Sequence, residues 1–175
     1  MLMLAILTAS CATAPAPDLW SELQSMCGRA YEGRLVEGTE PSDAELGRQR
    51  LVMHVRSCSP AEIRIPFHVG ENRSRTWVIT RTGSGLRLKH DHRHEDGSED
   101  RITQYGGDSA GTQALRVDFP ADAFTAELLP AAATNVWTME IDPSRSFTYA
   151  LHRANRRFRV EFDLTRPVAP PPPPW

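Results

Sequence analysis

The chain has 175 residues, with 40% hydrophobic and 24% charged side chains and a formal net charge of −2, a balance that fits a folded chain and excludes a wholly disordered one. A pI near 6.3 leaves no overall basic field to draw the protein to nucleic acid, so no nucleic-acid partner is expected. The cations are 19 arginines and one lysine, Lys89, a bias that reads as composition rather than as a phosphate-binding set.

Residues 1–17 carry no charged side chain and place an apolar stretch, Leu2 to Leu7, ahead of the small-residue run Thr8-Ala9-Ser10-Cys11-Ala12. That order predicts a leader and tether, directing the chain out of the cytoplasm. The stretch is shorter than the roughly 20 apolar residues needed to span a bilayer. Leu7 to Ala12 resembles the lipobox of bacterial lipoproteins, which implies lipidation at Cys11. Cleavage after Ala12 and simple secretion is the alternative. The expected location is therefore an outer-membrane-anchored lipoprotein or a periplasmic or secreted protein, touching membrane only through a lipid anchor.

Three cysteines are present. Whether Cys11 is lipidated or removed, Cys27 and Cys58 remain, and an even pair in an oxidising compartment predicts a disulfide. Closing a loop of about 30 residues would stabilise the fold by roughly 3 to 4 kcal/mol.

Asp18 precedes Leu19, Leu23 and Met26 at helical spacing and Gly28 ends the pattern, which predicts a short helix over residues 18–27. From there the period is two. A strand near Tyr31 to Val36 precedes Leu51-Val55 and Ile63-Val69, then strands around Trp77-Ile79 and Leu86-Leu88, and one near Ile102 and Tyr105. Leu115-Phe119, Trp137-Ile141, Phe147-Leu151 and Phe158-Leu164 complete about ten. Turns are expected at Thr82-Gly85, Glu95-Ser98, Gly106-Asp108 and Asp142-Arg145. A second helix is expected over Ala121 to Leu129, ended by Pro130. The predicted class is all-β: an antiparallel meander closed as a barrel, with a sandwich as the alternative. The single domain should cover residues 18–165. Residues 166–175, with five consecutive prolines before Trp175, are expected to be a disordered polyproline tail that cannot join a ladder.

A short helix leading into Gly28-Arg29-Ala30-Tyr31-Glu32-Gly33 and then a β meander resembles the lipocalin and fatty-acid-binding-protein barrels. The resemblance implies a calycin-like barrel and covers the architecture of the whole domain. The phrase Leu88 to Gly97 is similar to stretches of uncharacterised exported bacterial envelope proteins, which implies a compartment and no activity.

Candidate chemistry centres on Leu86-Arg87-Leu88-Lys89-His90-Asp91-His92-Arg93-His94. In a strand His90, His92 and His94 share a face with Leu86 and Leu88, so the apolar side of the strand runs on into imidazoles. Neighbours at i, i+2 lie about 6.6 Å apart and can share a zinc with bonds of about 2.0 Å, whereas i, i+4, about 13 Å apart, cannot. The metal reading thus takes one neighbouring pair from His90, His92 and His94 to hold zinc or another divalent metal, with a third ligand from His54, His68 or His152. The plainer reading has these histidines hydrogen-bonded to the acidic turn Glu95 to Asp100.

Gly107-Asp108-Ser109-Ala110-Gly111 matches the Gly-x-Ser-x-Gly nucleophile elbow, but its flanks read as β-hairpin, and the only later histidine is His152. A glycine-rich turn is the plainer reading. The function expected is that of a non-enzymatic exported envelope protein whose barrel binds a small-molecule ligand, a metal or an envelope protein. The alternative is a small exported hydrolase or metalloenzyme using Ser109 or the His90/His92/His94 segment. A cavity lined by Trp77, Tyr149 or His92 would favour ligand binding, and a Ser109–His152 contact the hydrolase.

Overall fold

The computed structural model describes residues 16–111 and 114–175, so the leader and Cys11 lie outside the described residues. The first helix starts where the sequence places a cap. The Asp18 carboxylate accepts the Ser21 backbone N–H at 2.8 Å and the Ser21 hydroxyl accepts the Asp18 N–H at 3.0 Å, satisfying donors that the first turn leaves open. Helix α1 (Leu19–Ser25) buries Leu19, Trp20 and Leu23 on one face.

The chain then runs β1 (Ala30–Gly38), α2 (Pro41–Gly47), β2 (Leu51–His54), β3 (Ser57–Cys58), β4 (Glu62–Val69), β5 (Asn72–Arg81), β6 (Leu86–His92) and β7 (Tyr105–Asp108). It continues with β8 (Arg116–Pro120), α3 (Ala123–Leu128), a 3-10 turn over Pro130–Ala132, β9 (Val136–Asp142), β10 (Ser146–Arg153) and β11 (Arg156–Val168). All paired strands are antiparallel, in the order β7-β6-β5-β4-β2-β1-β11-β10-β9-β8, with β3 added beside β4. Because β11 returns to pair with β1, the two meanders form one sheet curled into a nearly closed barrel, rather than a sandwich.

The alternation read from the sequence sets the core. Leu51 and Met53, Ile63 to Phe67, Trp77 and Ile79, and Phe158 to Leu164 each send every second side chain into one buried cluster. Helix α1 covers one end of the barrel: Leu19 N–H bonds to Ala114 O and the Arg81 guanidinium lies 4.7 Å from the Trp20 ring. At that end the Cys27–Cys58 disulfide, Cα–Cα 6.2 Å, ties the exit of α1 to β3. Helix α2 and the 3-10 turn lie at the opposite mouth, beside the ends of β1 and β9.

Four expectations are corrected here. Gly106, Gly107 and Asp108 are strand, not turn, and they form the barrel seam. A Cβ on Gly106 would overlap the Leu88 carbonyl and one on Gly107 the Pro120 carbonyl, so only glycine lets β7 pass this close to β6 and β8. The α3 start clasps the seam: Thr125 Oγ1 accepts Gly106 N–H at 2.7 Å and donates to Gly106 O at 2.8 Å, and Asp122 N–H adds a bond to Gly106 O at 3.0 Å. Ile102 is exposed and precedes the strand assigned to it.

Helix α2 was not expected, because its buried residue is an acid, Asp43, and it shows no apolar stripe. Residues 166–175 are not a disordered tail. The ladder runs to Val168 opposite Ala30, and Pro167 sits opposite Tyr31 beside a register shift, where a missing N–H interrupts no regular bond. Beyond it Arg73 donates to Pro173 O at 3.0 Å and lies 5.7 Å from the Trp175 ring, holding the prolines along the barrel wall.

Candidate functional site: an aromatic cavity at the barrel mouth

A cavity of about 310 Å3 opens at the α2 end. Its inner wall is aromatic because inward positions of β4, β5, β6, β7, β9 and β10 carry rings. Trp77 stacks on Phe67, with centroids 4.9 Å apart, and on Tyr149, 4.4 Å apart, while Trp137 leans against His90 and Tyr105. Trp77, Tyr149 and His92, the three residues named from sequence as markers of a ligand cavity, all line it.

His90 is fully inside. One ring nitrogen, Nδ1, stands 3.0 Å from the Tyr105 carbonyl, which can only accept, so Nδ1 carries the proton and donates. Nε2 then accepts from the Tyr149 hydroxyl at 2.7 Å. Burial holds the His90 pKa down at about 3, so the imidazole is neutral at physiological pH. His92 lies 3.0 Å from the Tyr105 hydroxyl through Nε2. Its pKa is lowered to about 4, by burial first and by the Arg75 cation second. Burial raises Tyr105 to about 12 and Tyr149 well above its ordinary value, so both phenols keep their protons.

The rim is ionic on one side. Asp43 of α2 and Arg156 of β11 form a bidentate pair at 2.5 and 2.7 Å, with Arg156 also 3.1 Å from Glu40. On the other side stands Arg75, opposite His92 on β6 and Phe67 on β4 and on the same face of β5 as Trp77. Its guanidinium donates to the Asn72 amide oxygen at 3.1 Å, and among the described residues it makes no ion pair.

His90 and His92 are therefore brought together, but His94 is not. Strand β6 ends at His92, and His94 enters the turn, its N–H on Ser98 O at 2.9 Å and its side chain exposed. The period-two argument fails there because the strand stops. His54 and His68 lie buried on the opposite face of β2 and β4 from Met53 and Phe67, away from the cavity, with Nδ1 of His54 and Nε2 of His68 unpartnered. His152 is exposed on β10. Among the described residues no three His, Cys, Asp or Glu side chains gather around a metal position. With both nitrogens of His90 engaged, the expected His90, His92 and His94 zinc or divalent-metal set does not assemble.

Ser109 is corrected in the same way. Its hydroxyl accepts from Leu86 N–H and donates to Gly111 O, each at 2.9 Å, locking the loop at the α1 end. His152 lies at the other end, opposite Val136 and Arg157, so the Ser109–His152 pair does not form. The residues missed by sequence were Arg75, Tyr105 and the Asp43–Arg156 pair. Parity offered a signal for Arg75, two positions before the inward Trp77. No sequence signal joined Asp43 to Arg156, which lie far apart in the chain. Comparison with protein-family models, with curated proteins and with solved structures finds no match to this chain.

Proposed function

We propose that this is a non-enzymatic exported protein of the bacterial envelope type, whose calycin-like barrel holds a small, largely apolar ligand in the mouth cavity. The observation that carries the reading is the cavity itself. Its volume, about 310 Å3, falls in the range of small-molecule sites, and its walls join aromatic rings to a few convergent polar groups, the usual chemistry of such sites. Fixed phenols and neutral imidazoles suit orientation of a ligand more than proton transfer near neutrality, because their perturbed pKa values lie far from it. The disulfide and the leader-like residues 1–17 support export.

The binding claim is tested with 1-naphthylamine, a two-ring probe uncharged at neutral pH, followed by energy transfer from tryptophan. Saturable binding at one site is expected, and Ala132→Phe should abolish it by filling the cavity that buried Ala132 lines. Unsaturable binding, or binding unaffected by Ala132→Phe, overturns the reading. The lipid-anchor part is tested by Cys11→Ser, which should release the protein from membranes. A native protein that already fractionates as soluble material beginning at Thr13 would mean simple secretion.

A further inference from the structure

The cavity's charge is asymmetric. Arg156 is neutralised by Asp43 and Glu40 at the rim, and His90 and His92 are held neutral by burial. Lys89 reaches Asp122 at 2.5 Å, on the outer side of β6 from His90. Arg75 alone of the cavity cations has no carboxylate partner among the described residues, only the neutral amide oxygen of Asn72. Its position is set by register, since it is paired with Phe67 on one side and His92 on the other and points the same way as buried Trp77. A cation on the inward face of a barrel, next to rings rather than acids, keeps an unmet demand for an anion. That demand strengthens as water leaves a low-dielectric site.

From this geometry we infer that the ligand is a small monoanion, a carboxylate or sulfonate on an apolar body, with its acid group on Arg75 and its body against Trp77 and Trp137. The inference rests on reading the cavity as a ligand site. A single unpaired guanidinium matches one charge, and its planar fork offers two parallel N–H donors to the two oxygens of a carboxylate. Size limits the body: an apolar cavity of about 150 Å3 takes one benzene, so about 310 Å3 has room for a fused two-ring system or a chain of comparable bulk. A second charge would find no partner, because the Arg156 fork already faces Asp43.

The test compares 1-naphthoate with its neutral counterpart 1-naphthamide by calorimetry on the folded, disulfide-bonded protein. A charge-assisted pair replaced by a neutral contact predicts that naphthoate binds about tenfold tighter or more. Arg75→Gln should erase that preference by weakening naphthoate while leaving naphthamide within about twofold, and Arg75→Lys should retain part of it. Near-UV circular dichroism of each variant reports that the aromatic core stays packed. Equal affinities in the unchanged protein, or a preference that survives Arg75→Gln, overturn the anion inference while leaving the cavity as a neutral ligand site. Failure of both compounds to bind, with 1-naphthylamine also excluded, overturns the ligand reading and this inference with it.

Discussion

His90 makes the fold acid-labile in a way that one substitution should relieve. In the folded protein its pKa is held at about 3 by burial, against 6.5 for a free imidazole. Above about pH 6.5 the group is neutral in both states and contributes no pH dependence. As pH falls below that value the unfolded chain takes up the proton and the folded one does not, so stability is lost until pH reaches the folded value. Two pH units below 6.5, near pH 4.5, the loss from this residue approaches about 2.7 kcal/mol. His90→Gln keeps both bonds in principle, with the amide N–H on Tyr105 O and the amide oxygen accepting from Tyr149, and it cannot titrate. Urea unfolding of both proteins at about pH 7 and about pH 4.5 gives the double difference, in which the shared contributions of His54, His68 and His92, all lowered as well, cancel. The substituted protein should lose about 2 to 3 kcal/mol less on acidification. Equal losses would show that His90 titrates alike in both states, and the account of a dry, neutral imidazole would fail.

Reducing the Cys27–Cys58 bond, which spans 31 residues of sequence, should lower stability by roughly 3 kcal/mol in the chain-entropy model. It should also raise the intact mass by about two units, and no gain in mass would remove the disulfide from the account. Thr125→Val, isosteric but without the hydroxyl, strips Gly106 N–H of its buried acceptor at the barrel seam and should cost about 1 to 3 kcal/mol. A shift in the denaturation midpoint worth less than about 0.5 kcal/mol would mean that the seam does not depend on that clasp.

Most of the barrel was legible because half-buried strands write their geometry in every second residue, as Phe158, Val160, Phe162 and Leu164 do in β11. Strand β3 is two residues long, too short for a period to show, and β7, Tyr105-Gly106-Gly107-Asp108, has no apolar alternation to read. Glycine misled in one place. Gly106-Gly107 has the composition of a turn, yet its role is to let three strands crowd together, a tertiary demand that local chemistry does not signal. The polyproline end misled in another, because a proline-rich segment reads as solvated until a surface appears to hold it, here Arg73 and its contacts with Pro173 and Trp175. Within the site, the strand argument placed His90 and His92 on the inward face and failed at His94, where β6 ends. The same parity argument would have found Arg75. Asp43 was beyond it, because it sits on a short helix outside the strand period, and its partner Arg156, far away in sequence, meets it only in the folded chain.

Whether a ligand sits in the mouth cavity or on the barrel wall is read from the four tryptophans. Trp77 and Trp137 line the cavity, Trp20 packs at the α1 end, and Trp175 lies with Arg73 on the outside. Titrating 1-naphthoate into protein labelled with nitrogen-15 at the indoles should shift the Trp77 and Trp137 resonances together and leave those of Trp20 and Trp175 in place. Shifts confined to Trp20 or Trp175, or no saturable shift at Trp77 and Trp137, would contradict the account.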